Sequence, residues 1–452
     1  MSTHDIQLMS HLLRRAGFGG TREEIESKSL AGYDATVEEL LHPESQEDLD
    51  LALLYRLQPD WRGYAHIETN QPMWLYRMIN TQRPLSEKMA LFFHGLFCTG
   101  HAKVMDAPQI AREIDLFREH SLGSFRDLLL MLSRDPVMLY YLDNNMSHKD
   151  EPNENWGREL LELFAMGVGN YSEDDVRQAS IAFTGWTVTN RIPIYPYGRY
   201  EWFYKYDEDD HSHENKTFLG ESGDLNGQDI VDIIAKNPAT AKFIATKLYQ
   251  FFVSDTTDPT AIEILSKSYF ENNYEIRAML RTLFKAEFFK NSYYELVKSP
   301  AEFVAGVLKV TGNFNELKPG LHPMARSISY MGQDLYNPPT VEGWHTGKGW
   351  IDSGTLVERI NFAAEQFGNI ENPGVQAIVH RIQESIIESD VESFVDSCLN
   401  QMGPLVVSPE TRESLIGYAH QGGVLVPDDA NLPIRVTEML QLIVSTQEFQ
   451  FA

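Results

Sequence analysis

Within residues 152–186, PNENWGRELLELFAMGVGNYSEDDVRQASIAFTGW, four polar side chains fall at a spacing that sets them on one side of a helix. They are Asn155, Arg158, Glu159 and Glu162, at i, i+3, i+4 and i+7. Two carboxylates held near one guanidinium have their proton affinities pushed apart, which gives an acid and a base. Glu159 is the expected general acid, Glu162 the second carboxylate and Arg158 their organiser. Trp186, Trp344, Trp350 and Tyr171 offer flat apolar faces for stacking, while Asn153, Asn155 and Glu342 add polar contacts to a substrate. The reaction class these groups fit is that of a hydrolase or lyase on a glycan-like substrate. The plain alternative is an exposed stripe in which Arg158 and Glu162 pair at i,i+4, worth about 0.3–0.5 kcal/mol. A third reading makes the network structural, with Arg158 bridging carboxylates and tying down the long loop at 331–353.

Metal chemistry has two sets of candidates. His94, near the edge of the apolar arc of PLSEKMALFFHGLF, could join Glu159 and Glu162 if the two helices face each other. The ordinary role of a lone histidine there is a hydrogen-bonded core residue. His211 and His213 form an H-x-H pair followed by Glu214, and on a strand both rings would point the same way. In a polar loop the same pair is usually just solvated. No cofactor is required by the sequence, and a divalent metal is the one left open. Nucleophile elbow, P-loop, dinucleotide fingerprint and H-E-x-x-H are all missing.

The elements that must position these groups are helical. Asn153 is a good N-cap, and Trp156, Leu160, Leu163 and Phe164 make one apolar stripe. Gly157 costs roughly 1 kcal/mol against alanine inside a helix, so close approach of another backbone is expected there. Gly167 and Gly169 end the helix, and Ser172 with Asp175 forms a capping box for the next. Helices are expected over 11–16, 71–81, 84–97, 107–119 and 123–133, and again from 228 onward. Residues 1–60 form N-terminal helices, 70–186 the central ones and 227–452 the C-terminal ones. The stretch 187–226, with Tyr200, Trp202, Tyr204 and Tyr206 alternating, reads as a small β-hairpin or two short strands inserted near 190–220. Residues 331–353, with two prolines, four glycines and two tryptophans, form a long irregular loop that is either functional or a cover over the core. The expected fold is mainly α, one large multi-helix orthogonal or bundle-like domain over 1–452, since no repeat or low-complexity linker interrupts it.

Composition narrows the function classes. With 38 basic and 65 acidic residues the formal charge is −27, which repels nucleic acid and anionic membranes. The chain is 42% hydrophobic, ample for a sizeable core. Only Cys98 and Cys398 occur, so a thiolate zinc site or disulfide framework is excluded. The LLRRAGFGG loop lacks the preceding strand and following GK[ST] of a phosphate cradle. No run of 18 apolar residues is present, and the N-terminus lacks the apolar core of a signal peptide. As written, the chain is expected to stay in the cytoplasm.

LLRRAGFGG, PLSEKMALFFHGLF, PVMLYYLDNN, the NENWGRELLELF stretch with AFTGW, KTFLG, KSPAEFV and LYNPPTVEGWHTGKGWI occur in that order. Together they resemble the bacterial domain-of-unknown-function 1800 family over essentially the whole chain. The resemblance implies a fold and a set of emphasised positions rather than an activity. Similar proteins are commonly exported, and are often encoded beside a sulfatase- or phosphatase-like protein, which implies a protein partner of that type. A second function class follows: a non-catalytic helical partner or maturation module, with the Trp-rich loop as its contact surface. The family's H-N-H-F pattern appears here as His94, Gly95, Leu96 and Phe97, so Leu96 stands at the second histidine position.

Overall fold

A run of proline-started and side-chain-capped helices accounts for most of the architecture. In the computed structural model, which describes residues 3–59, 66–190, 201–385, 390–422 and 431–452, 24 α-helices occur. Pro84, Pro136, Pro238, Pro259, Pro300 and Pro409 each open a helix at its first turn, where the missing N–H costs nothing. Thr21, Ser172, Asn226 and Ser299 close capping boxes. Buried apolar side chains from Ile6 to Phe449 form one contiguous cluster. The expectation of a mainly α protein holds. Among the described residues no helix is long and apolar enough to cross a membrane.

The helix Pro84–Leu96 is the axis of the site. It is apolar nearly all round and buried along its length, as its sequence requires. It packs against the Ala107–His120 helix. The N-terminal helix runs from Thr3 to Ala16, longer than the expected 11–16, because Ile6 and Met9 extend the stripe that includes Leu13 and Ala16.

The inserted β structure consists of two small antiparallel pairs. Trp186–Asn190 pairs with Trp202–Tyr206, Trp186 opposite Tyr206, and Lys216–Phe218 pairs with Glu221–Gly223. Tyr200, placed in the alternating run above, lies outside the described residues.

Residues 331–353 form the expected irregular loop, with only a short 3₁₀ turn at Gly347–Trp350. It is pinned along its length. Gln333 accepts from the Ala301 N–H at 2.9 Å, Asp334 accepts from Gln71 at 2.9 Å, and Tyr336 O accepts from the His101 N–H at 3.0 Å. Gly343, at φ +97°, sits so close to the Pro84–Leu96 helix that a Cβ there would lie 2.5 Å from Gly95 O. Only glycine fits.

Candidate functional site

The helix that carries the expected chemistry is not one regular α-helix. Glu154–Glu159 is α-helical, capped by Asn153, whose side chain accepts from the Asn155 N–H at 2.9 Å. From Leu160 to Ala165 the turn widens to a π-helix, closed by the Met166 N–H donating to Leu161 O at 2.9 Å. The widening falls between Arg158 and Glu162 and rotates them apart. Arg158 therefore makes neither the expected Glu162 pair nor a bridge to the long loop. It is partly exposed and pairs with Glu154 at 3.2 Å and Glu173 at 2.8 Å, the latter through both guanidinium nitrogens. Its organising role is thus not supported by position. Gly157 does mark a tight crossing, since a Cβ there would overlap Ser180 Oγ and lie 3.1 Å from both Ser180 N and Val176 O.

Glu159 and Glu162 are half-buried. Burial raises the Glu159 carboxyl above the usual carboxylate range, and the charges of Glu162 and then Glu342 push the same way, with Arg158 opposing. Glu162 accepts a 2.8 Å hydrogen bond from the Tyr171 hydroxyl. Glu342, contributed by the long loop, is therefore electrostatically joined to the Glu159 helix.

Glu342 and Leu163 border a cavity of about 490 Å³, within the size range of small-molecule sites, whereas Glu159 and Glu162 are not among its lining residues. Arg15 of the LLRRAGFGG segment, Phe92, Gly95 and Leu96 of the central helix, and Leu163 form part of its wall. Lys247, Phe251 and Asp255 come from the Pro238–Phe252 helix and its exit, and Ser299 and Glu302 from KSPAEFV. The loop adds Gln333, Glu342, Trp344, His345, Thr346 and Trp350. Trp344 is half-buried and Trp350 buried, while Glu342, His345 and Thr346 are exposed at the rim.

The polar lining is held in place. Arg15 donates to Val253 O at 2.6 Å, and burial brings its guanidinium down to about 10. Asp255 abuts Gly347, where a Cβ would collide with the carboxylate. Burial raises Asp255 above the usual range, opposed by Arg15 and Lys348. Glu302 behaves oppositely: burial pushes it up, yet Lys88 and the Ser299 N–H hold it below the normal range. Lys88 is fully buried, ion-paired to Glu302, and donates to Gly17 O at 3.0 Å. A lysine in a helix whose remaining length is largely apolar, next to Glu87, was a sequence signal for this half of the site. Asp255, Lys247 and Arg15 carried none.

Several expected contributors lie elsewhere. Trp186 does not line the cavity; it is buried edge-on against Phe183 at 5.1 Å and Tyr204 at 5.4 Å, beneath the Arg134 guanidinium. Asn153 is occupied as a cap, and Asn155 is an exposed donor to Asp143 at 3.3 Å. His94 is fully buried in an aromatic box of Trp74, Tyr336 and Trp344, with centroids 5.8, 6.2 and 5.1 Å away. Neither ring nitrogen has a hydrogen-bond partner, and burial lowers the imidazole to about 3. His94 does not group with Glu159 and Glu162 as metal ligands. Among the described residues, the group with converging donors is His211, His213 and Asp224, within 4.8 Å of one another. Of the two placements the sequence left open, the structure shows the loop rather than the strand, directly after a 3₁₀ turn; His211 is buried and His213 exposed.

Fold and site define a mainly helical protein with an aromatic, carboxyl-bordered cavity closed by a long pinned loop. The chain belongs to the DUF1800 family, described as a protein of unknown function, whose sequence model matches residues 11–451. No curated protein and no solved structure matches it. Five of the segments that carry the family resemblance, LLRRAGFGG, PLSEKMALFFHGLF, NENWGRELLELF (through Leu163), KSPAEFV and LYNPPTVEGWHTGKGWI, meet in the cavity wall.

Proposed function

We propose that the protein is a hydrolase- or lyase-type enzyme whose glycan-like substrate occupies the 490 Å³ cavity. The observation that supports this is that Glu159, a carboxyl raised by burial and by the neighbouring charges of Glu162 and Glu342, is coupled through Glu342 to the rim of a cavity walled by Trp344 and Trp350. Sugar rings present apolar faces to indoles and hydroxyls to polar side chains, and this lining offers both. In this reading Glu159 donates a proton to the leaving group and Glu342 is the carboxylate that acts as base or nucleophile. Glu162, tied to Tyr171, keeps the Glu159 proton in place by its charge. Trp344 and Trp350 stack the ring, and Asp255, Lys247 and Arg15 orient hydroxyls deeper in. The Arg158 role expected from sequence is given up.

Turnover of a panel of aryl glycosides and oligosaccharides by the purified protein tests this. Glu159→Gln should lower kcat by about 10²–10⁴-fold without loss of folding. Trp344→Ala should chiefly raise KM. An absence of turnover together with an absence of saturable oligosaccharide binding would dispose of the glycan reading. A large stability loss in Glu159→Gln would instead mark a structural knot.

A further inference from the structure

The β-rich segment holds a second group of chemistry-bearing side chains, built from elements that do not line the cavity. Thr184 and Gly185 end the turn that follows the Glu173–Ala182 helix. Gly185, at φ +76°, lets the 207–211 segment press onto it: a Cβ there would lie 2.5 Å from Asp207 O and 3.1 Å from His211 N. Thr184 O is 2.8 Å from His211 Nδ1, and Thr184 Oγ1 accepts the Ser212 N–H at 2.9 Å. A carbonyl can only accept, so His211 carries its proton on Nδ1 and presents a bare Nε2.

His213 lies beside it, with ring centroids 5.0 Å apart. Its Nδ1 is 3.1 Å from Asp224 Oδ2, and its Nε2 is 3.3 Å from Glu208 Oε1. Asp224 follows the Lys216–Phe218/Glu221–Gly223 pair. Its other oxygen, Oδ1, is held at 3.1 Å by the fully buried Lys216 ammonium, which also donates to Ser212 O at 2.6 Å and Glu214 O at 3.1 Å. One lysine thus fixes both the histidine loop and the carboxylate.

We propose that His211 Nε2, His213 Nδ1 and Asp224 Oδ2 form a site for one borderline divalent transition ion of the zinc type. Two imidazole nitrogens and one carboxylate oxygen are the donor set of such an ion, with a fourth position left to water. Donors bound at about 2.0–2.2 Å and tetrahedral angles sit roughly 3.3 Å apart. The 3.1 Å between His213 Nδ1 and Asp224 Oδ2 needs almost no rearrangement. The outer partners resemble those around bound zinc: Thr184 O takes the free N–H of His211, and the Glu208 carboxylate stands at ion-pair distance, 3.3 Å, from His213 Nε2. The formal charges of Asp224, Glu208 and Lys216 sum to −1, which favours a cation.

Tag-free protein, stripped with a chelator, is titrated with Zn²⁺ by calorimetry and loaded with Co²⁺ for absorption spectroscopy. One ion per chain should bind, with a visible Co²⁺ band of low-symmetry tetrahedral type and a rise in Tm on adding Zn²⁺. His213→Ala, at an exposed ring, and Asp224→Asn, whose amide oxygen can still accept from Lys216, should each abolish saturable binding while circular dichroism shows the wild-type helix content. Glu208→Gln should weaken it by about 10–100-fold. Wild-type protein that binds no Zn²⁺ saturably overturns the proposal. So does a His213→Ala variant that binds as tightly as wild type.

Discussion

Gly343→Ala probes the seat of the long loop on the central helix. At φ +97° an alanine is held in left-handed backbone, and its Cβ would stand 2.5 Å from Gly95 O and 3.1 Å from Cys98 Sγ. The Gly95 carbonyl belongs to a buried helix and cannot swing aside as a side chain could. Backbone strain of about 1–2 kcal/mol adds to an overpacking cost of about 1–3 kcal/mol, offset by roughly 0.4–1 kcal/mol from stiffening the unfolded chain. The expected net loss is centred near 3 kcal/mol, the value implied by those ranges. Gly332→Ala separates the two contributions. Its φ is +100°, almost the same, but nothing lies within 4 Å of the added Cβ. It should cost only about 1 kcal/mol, the strain less the unfolded-state gain. Urea unfolding followed by tryptophan fluorescence, with a common slope for all variants, measures both. If Gly343→Ala costs no more than Gly332→Ala, the loop does not rest on the Gly95 backbone and the cavity lacks the closure described above.

Lys88→Met leaves Glu302 buried without its cation, and should destabilise by about 3–5 kcal/mol in the same denaturation assay; adding Glu302→Gln should recover much of it. His94, lowered to about 3 by burial, stays neutral in the folded protein while the unfolded chain takes a proton below pH 6.5. Its contribution is therefore complete above pH 6.5 and is lost as pH falls, at about 1.4 kcal/mol per pH unit, and His94→Phe should remove that slope. Glu113, fully buried, is raised by burial and then by the Asp135 charge, so the folded protein holds its proton more tightly than the unfolded chain does. Its contribution is present at low pH and declines as pH rises above the range where the unfolded carboxyl ionises; Glu113→Gln should flatten the alkaline side of the stability profile. Glu162→Gln removes the larger neighbouring charge that raises Glu159, so the basic limb of the pH–rate profile should move to lower pH, and an unmoved limb would separate the two groups.

Local rules carried the sequence reading a long way. Apolar spacing marked the helices, Asn153 and Ser172 capped where they were expected to, and Gly157 met the backbone of the next helix. The failures share a cause. The Arg158–Glu162 pairing assumed a 3.6-residue period that the π turn at Leu160–Ala165 breaks, and nothing local announces such a turn. The partner that won, Glu173, belongs to the next helix, reached only after the Gly167–Gly169 turn. The cavity was invisible because Arg15, Phe92, Asp255, Glu302 and Trp350 are joined by tertiary packing alone. Trp186 looked like a stacking surface because an indole in a hairpin and an indole in a binding site have the same letter.

The cavity wall at Leu296 and Val297 has a fastening that bears on how the protein is made. The Ala452 N–H donates to Leu296 O at 2.9 Å, Phe451 bridges Val297, and the Lys298 N–H donates to Gln450 O at 3.0 Å. The Thr3–Ala16 helix, which supplies Arg15 to the same cavity, is likewise anchored far along the chain, with Ser10 Oγ on Gly403 O at 3.0 Å and His11 Nε2 2.9 Å from Phe289 O. At ribosomal speeds of about 5–20 residues per second, roughly 20–90 s separate the first wall residue from the strap that secures the wall. The Thr3–Ala16 helix also packs on the Arg22–Ala31, Tyr33–Leu41 and Pro84–Leu96 helices, so its early neighbours are in place long before these distant anchors. The wall at Leu296 and Val297 is therefore completed only when residues 450–452 dock, well after the central helix that forms its floor has been made.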